Sequence, residues 1–467
     1  MPMPKDYRLA PLPAPRQDGT LLKRTTSRCP VCLQACPAEV WKVGSTPSRV
    51  ELRRTCPEHG VAMAVISSDA RFYWLASGDP QNACCGGQCS SAEGARPGTL
   101  GSNAVASVDG TMEKLSTCLA LIEIVHSCNL ACPTCYADSP VGAAGAALHY
   151  EPLTGLQARI DGIIQRKGRI EILQLSGGEP TLHPQFFELL TWAMTHPGID
   201  YVVLNTNGVR LARDAAFAAE LREKFIYGKL QLYLQYDGPG QGGQVSLRGT
   251  DLRMMRTQAL ERCQELNLPV TLAMTVTPEN VDQLWATIEL GLQYEQVRGV
   301  SFQPMFVSGR QSQMAAPRLN TADIILGLLE QSAQKLTVDD FTPLPCGDPN
   351  CATIGYLLKT SAGQCRSMSE FIDYSTMQGF LQNKIRYKLE DLGQCGCESE
   401  PLGRLLHELE IDERHTFRIF IKPFMDAWSW DQDRIDRCCT HVIRPDGQLD
   451  SFCRYYSGFP DAVSRVP

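Results

Sequence analysis

Six apolar runs of strand length recur between residues 118 and 304, and stretches with helical spacing separate them. The runs are CLALIEIV (118–125), EILQLS (171–176), YVVLNTN (201–207), LQLYLQY (230–236), VTLAMTV (270–276) and GVSFQP (299–304). Helical spacing occupies intervals near 155–166, 185–195, 212–225, 251–266 and 280–293. Strands this apolar are buried on both faces, and strands joined through helices run parallel. Six such units predict an α/β fold built on an open or closed β/α barrel rather than a small doubly wound sheet. In such barrels chemistry gathers at the C-terminal ends of the strands. The distinctive residues fall there: three cysteines after the first run, Gly177-Gly178-Glu179-Pro180 after the second, Asn205-Thr206-Asn207-Gly208 at the third and Asp237 after the fourth.

The chain has 20 cysteines in 467 residues. No apolar run is long enough to span a bilayer, and the N-terminus, MPMPKDYRLAPLPAPRQDG, lacks the apolar core of a secretory signal. A cytoplasmic chain is therefore expected, with transient membrane-surface contact left open. Cysteines in that setting hold metal more often than they form disulfides. The net charge of −7 argues against a nucleic-acid partner bound through bulk positive charge. The cysteines form three groups, and between Cys135 and Cys346 the only one is Cys263, which reads as core on a helix.

The organisation follows. Residues 1–25 are a proline-rich flexible tail, 26–90 a cysteine-bearing unit and 91–116 a Gly/Ser/Ala-rich linker. Residues 117–310 are the barrel, and 311–467 form a C-terminal region with helical segments at 321–335 and 366–392 among scattered cysteines. Gly238–Gly243 matches G-x-G-x-x-G, but the proline inside it favours a turn after a strand over dinucleotide binding.

Cys128-x3-Cys132-x2-Cys135 places three thiolates on one short loop. A four-iron cubane held by three protein ligands keeps one iron open; a zinc knuckle completed by His126 is the alternative. In the N-terminal unit, Cys29-x2-Cys32 and Cys56-x2-His59 have the spacing of a tetrahedral zinc or iron site, with Cys36 the alternative fourth ligand. Cys346, Cys351, Cys365, Cys395, Cys397, Cys438, Cys439 and Cys453 suffice for two fully ligated [4Fe-4S] clusters. His441 is a further candidate ligand. Asp237 is a candidate catalytic or ribose-binding acid, or a turn residue.

The cysteine spacing after the first strand, followed by Gly-Gly-Glu-Pro after the second, resembles the radical SAM superfamily. The resemblance implies that Cys128, Cys132 and Cys135 hold a [4Fe-4S] cluster whose open iron is chelated by S-adenosylmethionine. It also implies that Gly177, Gly178 and Glu179 receive the methionine amino group and that Asn205 and Asn207 lie near the ribose or carboxylate. Thr134 stands where the superfamily commonly has an aromatic residue, so Tyr136 is the candidate to meet the adenine. The implied chemistry is reductive cleavage to a 5′-deoxyadenosyl radical that takes hydrogen from an unactivated carbon, with a flavodoxin- or ferredoxin-type electron donor.

Over nearly its full length the chain also resembles the tetraether-synthase-like radical SAM group, also known under the name of pterin methyltransferases. CPVC…CPEHG (29–60), LQYDG (234–238), LPCGDPNC (344–351) and FMDAWSWDQDRIDRCCTHVIRPDGQLDSFC (424–453) carry this likeness. It implies a partial (β/α)6 barrel with a rubredoxin-like iron, two auxiliary clusters and carbon–carbon bond formation on a lipid-like or alkyl substrate. Methyl transfer to a pterin or other small molecule is the second expectation. Peptide modification is the third, and a multi-cluster electron carrier is the non-enzyme alternative.

Overall fold

A computed structural model of the chain describes residues 19–75, 115, 117–141, 147–311, 317–344, 347–360, 365–371 and 413–459. Most of the expected tail and linker, together with Cys84, Cys85, Cys89, Cys346, Cys395 and Cys397, lies outside the described residues.

The N-terminal unit is a four-stranded antiparallel sheet in sequence order: β1 (Gly19–Arg28), β2 (Ala35–Val43), β3 (Arg49–Cys56) and β4 (Gly60–Ser67). Its apolar core is small, with Ala38, Val40, Val50 and Leu52 on one side and the cysteines at the other end. A core of that size needs a staple or a neighbour. It has a neighbour: the buried Arg54 guanidinium donates to the carbonyls of Ala427 and Trp428, and Lys23 pairs with Asp431 at 2.7 Å.

All six predicted strands form, as β5 (Leu119–Val125), β6 (Ile170–Gly177), β7 (Ile199–Thr206), β8 (Leu230–Gln235), β9 (Val270–Val276) and β10 (Val297–Pro304). They pair in parallel in sequence order. Helices α1 (Leu153–Lys167), α2 (Phe186–Thr195), α3 (Val209–Arg213) and α4 (Ala215–Lys224) cover the outer face of the first half. On α1, Leu156, Ile160 and Ile163 are fully buried at i, i+4 and i+7, one stripe of a 3.6-residue period. Farther along come α5 (Gln241–Arg248), α6 (Arg253–Glu265), α7 (Leu284–Leu292) and α8 (Thr321–Gln331), the last opened by an Asn320/Asp323 capping box.

Two features depart from the sequence reading. Gly238–Gly243, expected as a turn, leads into helix α5. Glycines lower helix propensity, but a Cβ on Gly243 would lie 2.9 Å from Asn280, so close packing against the next loop requires the small residue. Residues 365–371, expected to begin a helix, form β13 (Cys365–Ser367) and a single 3-10 turn.

The C-terminal region adds strands to both ends of the barrel sheet. β14 (Thr416–Ile421) pairs in parallel with β10, and β12 (Thr353–Lys359) pairs antiparallel with β14, followed by the two-residue β11 (Thr342–Pro343). At the other end β15 (Thr440–Ile443) pairs in parallel with β5, and β16 (Leu449–Ser451) follows it. Lys422, just past β14, donates to the Thr440 hydroxyl at the start of β15 at 2.8 Å. A side-chain contact thus closes the gap between β14 and β15, with no strand pairing between the two ends of the sheet among the described residues.

Gly299 permits the pairing of β14 with β10. Its φ is +157°, and a Cβ there would lie 2.3 Å from the Arg418 carbonyl of β14. Gly299→Ala is therefore expected to destabilise the chain by about 1–3 kcal/mol, read as a lowered urea midpoint. Gly155→Ala, on α1 with nothing within 4 Å of the added carbon, is expected to stabilise the chain by roughly 0.5–1 kcal/mol, read as a raised urea midpoint.

Candidate active site

The barrel encloses a cavity of about 310 Å³. Side chains alternate along each strand, so every second residue of the six parallel strands faces it. Cys128, Cys132 and Cys135 line the C-terminal rim together with Gly177, Gly178, Asn205 and Asn207. The ring of His126, the fourth ligand of the zinc alternative, is engaged with Glu151 at 3.0 Å. Burial pushes the Cys128 thiol up to about 12, and Glu179 and the other two thiols add to the shift. A metal site overcomes that cost by deprotonating its thiol ligands outright. Three cysteines on one loop, with open cavity beside them, fit a cluster that keeps one iron free.

The two glycines of the Gly-Gly-Glu-Pro turn are required by the protein itself. A Cβ on Gly177 (φ +124°) would lie 2.1 Å from the Val125 carbonyl, and one on Gly178 would lie 2.2 Å from the Ser127 carbonyl. Their absence of side chain lets the turn bond to the cysteine loop: Gly178 N donates to Val125 O at 2.8 Å and Glu179 N to Ser127 O at 3.1 Å.

Glu179 is 1% exposed and does not line the cavity. Its Oε1 accepts from the hydroxyls of Thr181 and Thr206, both at 2.7 Å, and its Oε2 from Asn207 N at 2.8 Å. Burial raises its pKa, and these donors work against that rise. Asn207 in turn donates to Asn129 Oδ1 at 2.7 Å and sits 3.9 Å from the Cys128 sulfur. Asn205 joins a second chain: it donates to Ser176 at 3.1 Å and accepts from Gln235 at 2.9 Å. Tyr136 lines the cavity, lies 3.5 Å from the Ser176 hydroxyl and packs edge-on against Tyr456, ring centroids 4.9 Å apart.

Asp237 does not face the cavity. It is wholly buried and grips Arg248 with both oxygens, at 2.5 and 2.8 Å, while Oδ1 also accepts from Thr275 N. Arg248 lines the cavity and reaches Gln235 at 3.1 Å; burial disfavours its charge, but Asp237 and Cys132 together raise its pKa. Arg248 had no motif to mark it in the sequence.

A second set of residues without a motif lies deeper. Gln231 accepts from Tyr201 at 3.2 Å and from Arg418 at 3.3 Å, and it donates to Thr271. Arg418 comes from β14 and reaches past β10 and β9 to do so. These four side chains make a hydrogen-bonded belt across the lumen. The visible signal for it was glutamine at alternate positions of an otherwise apolar strand, LQLYLQ.

Of the C-terminal cysteines, Cys351, Cys438, Cys439 and Cys453 gather where the sheet ends meet. Burial raises the Cys438 thiol, with Cys439, Cys351 and Cys453 adding to the shift, and burial pushes Cys351 up to about 12. The Cys439 carbonyl accepts from Cys118 N, and Met425 N donates to the Cys453 sulfur at 3.3 Å. His441 turns to Thr117 instead, Nδ1 to Oγ1 2.9 Å. Cys365 stands apart. It pairs opposite Lys359, at the far end of β12 from Cys351, and a seven-residue strand is about 20 Å long.

In the N-terminal unit the ligand atoms of Cys29, Cys32, Cys56 and His59 lie within 4.8 Å of one another. Cys36 is buried beside them, 3% exposed, and is not one of that set. Burial raises Cys56, but hydrogen bonds from His59 and the turn backbone outweigh it and bring the thiol down to about 7.

Residues 122–291 match the radical SAM superfamily, and residues 21–68 match the HMPTM N-terminal zinc ribbon domain. Residues 122–291 are thus a radical SAM domain, which implies a [4Fe-4S] cluster and S-adenosylmethionine. The chain is 25% identical over 500 aligned positions to the 7,8-dihydro-6-hydroxymethylpterin dimethyltransferase of Methanocaldococcus jannaschii, which covers 93% of each chain. It is 29% identical over 228 residues to the mycofactocin maturase MftC of Mycobacterium tuberculosis, covering 47% of this chain and 54% of that one. Among solved structures, Streptococcus suis SuiB overlays with a TM-score of 0.37 at 12% identity, over 47% of each chain.

The ribbon geometry makes a prediction that separates its two candidate fourth ligands. Cys56→Ala is expected to lose one metal ion per ribbon and to make the ribbon protease-sensitive, because the metal supplies folding free energy that so small a core lacks. Cys36→Ala is expected to retain the metal. Metal analysis of the purified variants checks both.

Proposed function

We propose that this radical SAM enzyme acts on a compact, hydrogen-bonding heterocycle of the pterin class, transferring a one-carbon or alkyl group to it. The supporting observation is the Tyr201–Gln231–Thr271–Arg418 belt. A long alkyl chain threading the lumen would break it and leave buried polar groups without partners, at about 1–3 kcal/mol each. A flat ring with amide and amine edges exchanges hydrogen bonds with the same groups. The likeness to the pterin dimethyltransferase over 93% of both chains agrees with this reading, and carbon–carbon coupling on a lipid becomes the second one.

When bound, the cluster and S-adenosylmethionine supply a 5′-deoxyadenosyl radical. The residues of this chain orient and shield. The Glu179 tie holds Asn207 and Asn129 beside Cys128, Arg248 borders Cys132, and the belt pins the substrate edge away from the rim. Lumen positions 231 and 235 are about 13 Å apart along β8, and between the two polar layers stands Tyr233, which accepts from Gln303 at 2.6 Å and offers a ring face and a hydroxyl to a flat substrate.

In this reading Cys351, Cys438, Cys439 and Cys453 belong to one auxiliary [4Fe-4S] site, with Cys346 close in sequence. Cys365 lies too far from Cys351 to share a cubane with it. The ribbon takes zinc as a structural ion, and a flavodoxin- or ferredoxin-type protein supplies electrons.

The test uses the anaerobically reconstituted, reduced enzyme with S-adenosylmethionine and 7,8-dihydro-6-hydroxymethylpterin deuterated at its non-exchanging carbons. Pterin-dependent 5′-deoxyadenosine carrying deuterium, absent in Cys132→Ala, is the expected outcome. Deuterium arriving instead from a perdeuterated long-chain lipid would restore the lipid reading. Gln231→Leu is expected to lower kcat/KM for the pterin by roughly 10- to 100-fold, the loss of one or two buried hydrogen bonds.

A further inference from the structure

The cysteine group at the meeting of the sheet ends has a fixed cation against it. Arg434 is 8% exposed and sits on the short helix Gln432–Ile435. Its Nη2 donates to the Asn350 carbonyl at 3.0 Å and the Pro423 carbonyl at 3.3 Å, which holds the guanidinium beside Cys351. Its Nε is buried without a hydrogen-bond partner. Two partly buried arginines are neutralised, Arg248 by Asp237 and Arg318 by Asp426, whereas the buried Arg54 and Arg256, like Arg434, donate to backbone carbonyls; of these three, Arg434 is the one beside the C-terminal cysteines. Arg434 makes no ion pair with a carboxylate among the described residues. Asp348, the acid near it, gives Oδ1 to the backbone and side-chain amides of Asn350. The groups that face the guanidinium electrostatically are Cys351, Asp348 and Cys453.

We infer that Arg434 is a positioning residue that sets the reduction potential of the cluster held by Cys351 and its neighbours. The inference rests on the auxiliary-cluster reading given above. Reduction adds one electron and one negative charge to such a cluster, with no bond made or broken and no proton taken up. A buried cation beside the ligating sulfurs stabilises that added charge, and low local dielectric makes the effect larger than at a surface. Arg434 therefore holds the potential of this cluster above the value it would have in a neutral surrounding. Lys422, the other cation near Cys453, is held by Thr440 and stays in place when Arg434 is replaced.

The test uses the full chain carrying Cys128→Ala, Cys132→Ala and Cys135→Ala, so that the clusters remaining after anaerobic reconstitution are the auxiliary ones. Iron and sulfide are counted, and the reduced signals are followed by electron paramagnetic resonance through a potentiometric titration. Adding Cys351→Ala identifies the signal in question by its loss, together with roughly four irons per chain. In that background Arg434→Gln is expected to shift the midpoint of this signal to more negative potential with iron content unchanged, and Arg434→Lys to leave it near the parent value. An unmoved midpoint in a fully loaded Arg434→Gln protein overturns the inference and leaves the auxiliary cluster standing. Absence of any Cys351-dependent cluster in the parent overturns both. If Arg434→Gln does not load, the volume-matched Arg434→Met replaces it; failure of both neutral variants to load, with Arg434→Lys loading normally, makes the residue structural and overturns the inference.

Discussion

The rim of the barrel hangs on one buried carboxylate. Glu179 gathers Thr181 from its own turn and Thr206 and Asn207 from the end of β7. A buried anion is costly unless its lone pairs are filled, and here they are filled by backbone and hydroxyl donors from two successive strand ends. The tie is possible only because Gly177 and Gly178 lie flat against residues 125–127, where any Cβ would strike a carbonyl. Through Asn207 and Asn129 the same tie reaches the cysteine loop. Removing Glu179 would therefore disturb three loops together, and its burial places it behind the cavity wall as the brace of that wall.

The far end of the chain completes what the barrel begins. Six parallel strands do not close a barrel, and an open edge exposes unpaired backbone. β14 and β12 cover one edge and β15 covers the other, so the segment that supplies the closing strands also delivers Cys351, Cys438, Cys439 and Cys453 to the place where those edges approach. The strands added at the two edges and the second cysteine group are thus supplied by the same C-terminal region. The ribbon is locked to the same segment, since Arg54 has its hydrogen bonds with the carbonyls of residues 427 and 428, two residues from Met425, whose amide meets Cys453.

What the sequence made legible has a common physical origin. Strands β5–β10 announced themselves because each is buried on both faces by local neighbours, and the Cys-x3-Cys-x2-Cys and Gly-Gly-Glu-Pro segments because close backbone approach and thiolate ligation tolerate few residue types. β14 was not legible: TFRIFI is short, carries an arginine, and follows a long segment without alternation, so only its tertiary pairing with β10 makes it part of the barrel. Helix α5 was hidden by its two glycines, of which Gly243 serves close packing against Asn280. Arg248 and Arg418 were hidden because an arginine in the sequence carries no sign of whether it meets water or a buried partner. Asp237 looked like a candidate acid for the same reason; its partner, eleven residues on, converts it into a counter-ion.

The lumen then poses a problem of orientation rather than of reactivity. A radical of the strength this superfamily employs will take hydrogen from most carbons that come within contact, so selectivity resides in which carbon the protein presents. Two polar layers, Ser176–Asn205–Gln235–Arg248 near the rim and Tyr201–Gln231–Thr271–Arg418 below, bracket the space between them. Each layer is internally hydrogen-bonded and so keeps its shape before any substrate arrives. On the proposed function, a flat ring would match its polar edge to the lower layer, whereas an alkyl chain would offer that layer no hydrogen-bonding edge. The belt across the barrel is for that reason a more informative guide to the substrate than the metal sites, which serve many chemistries equally well.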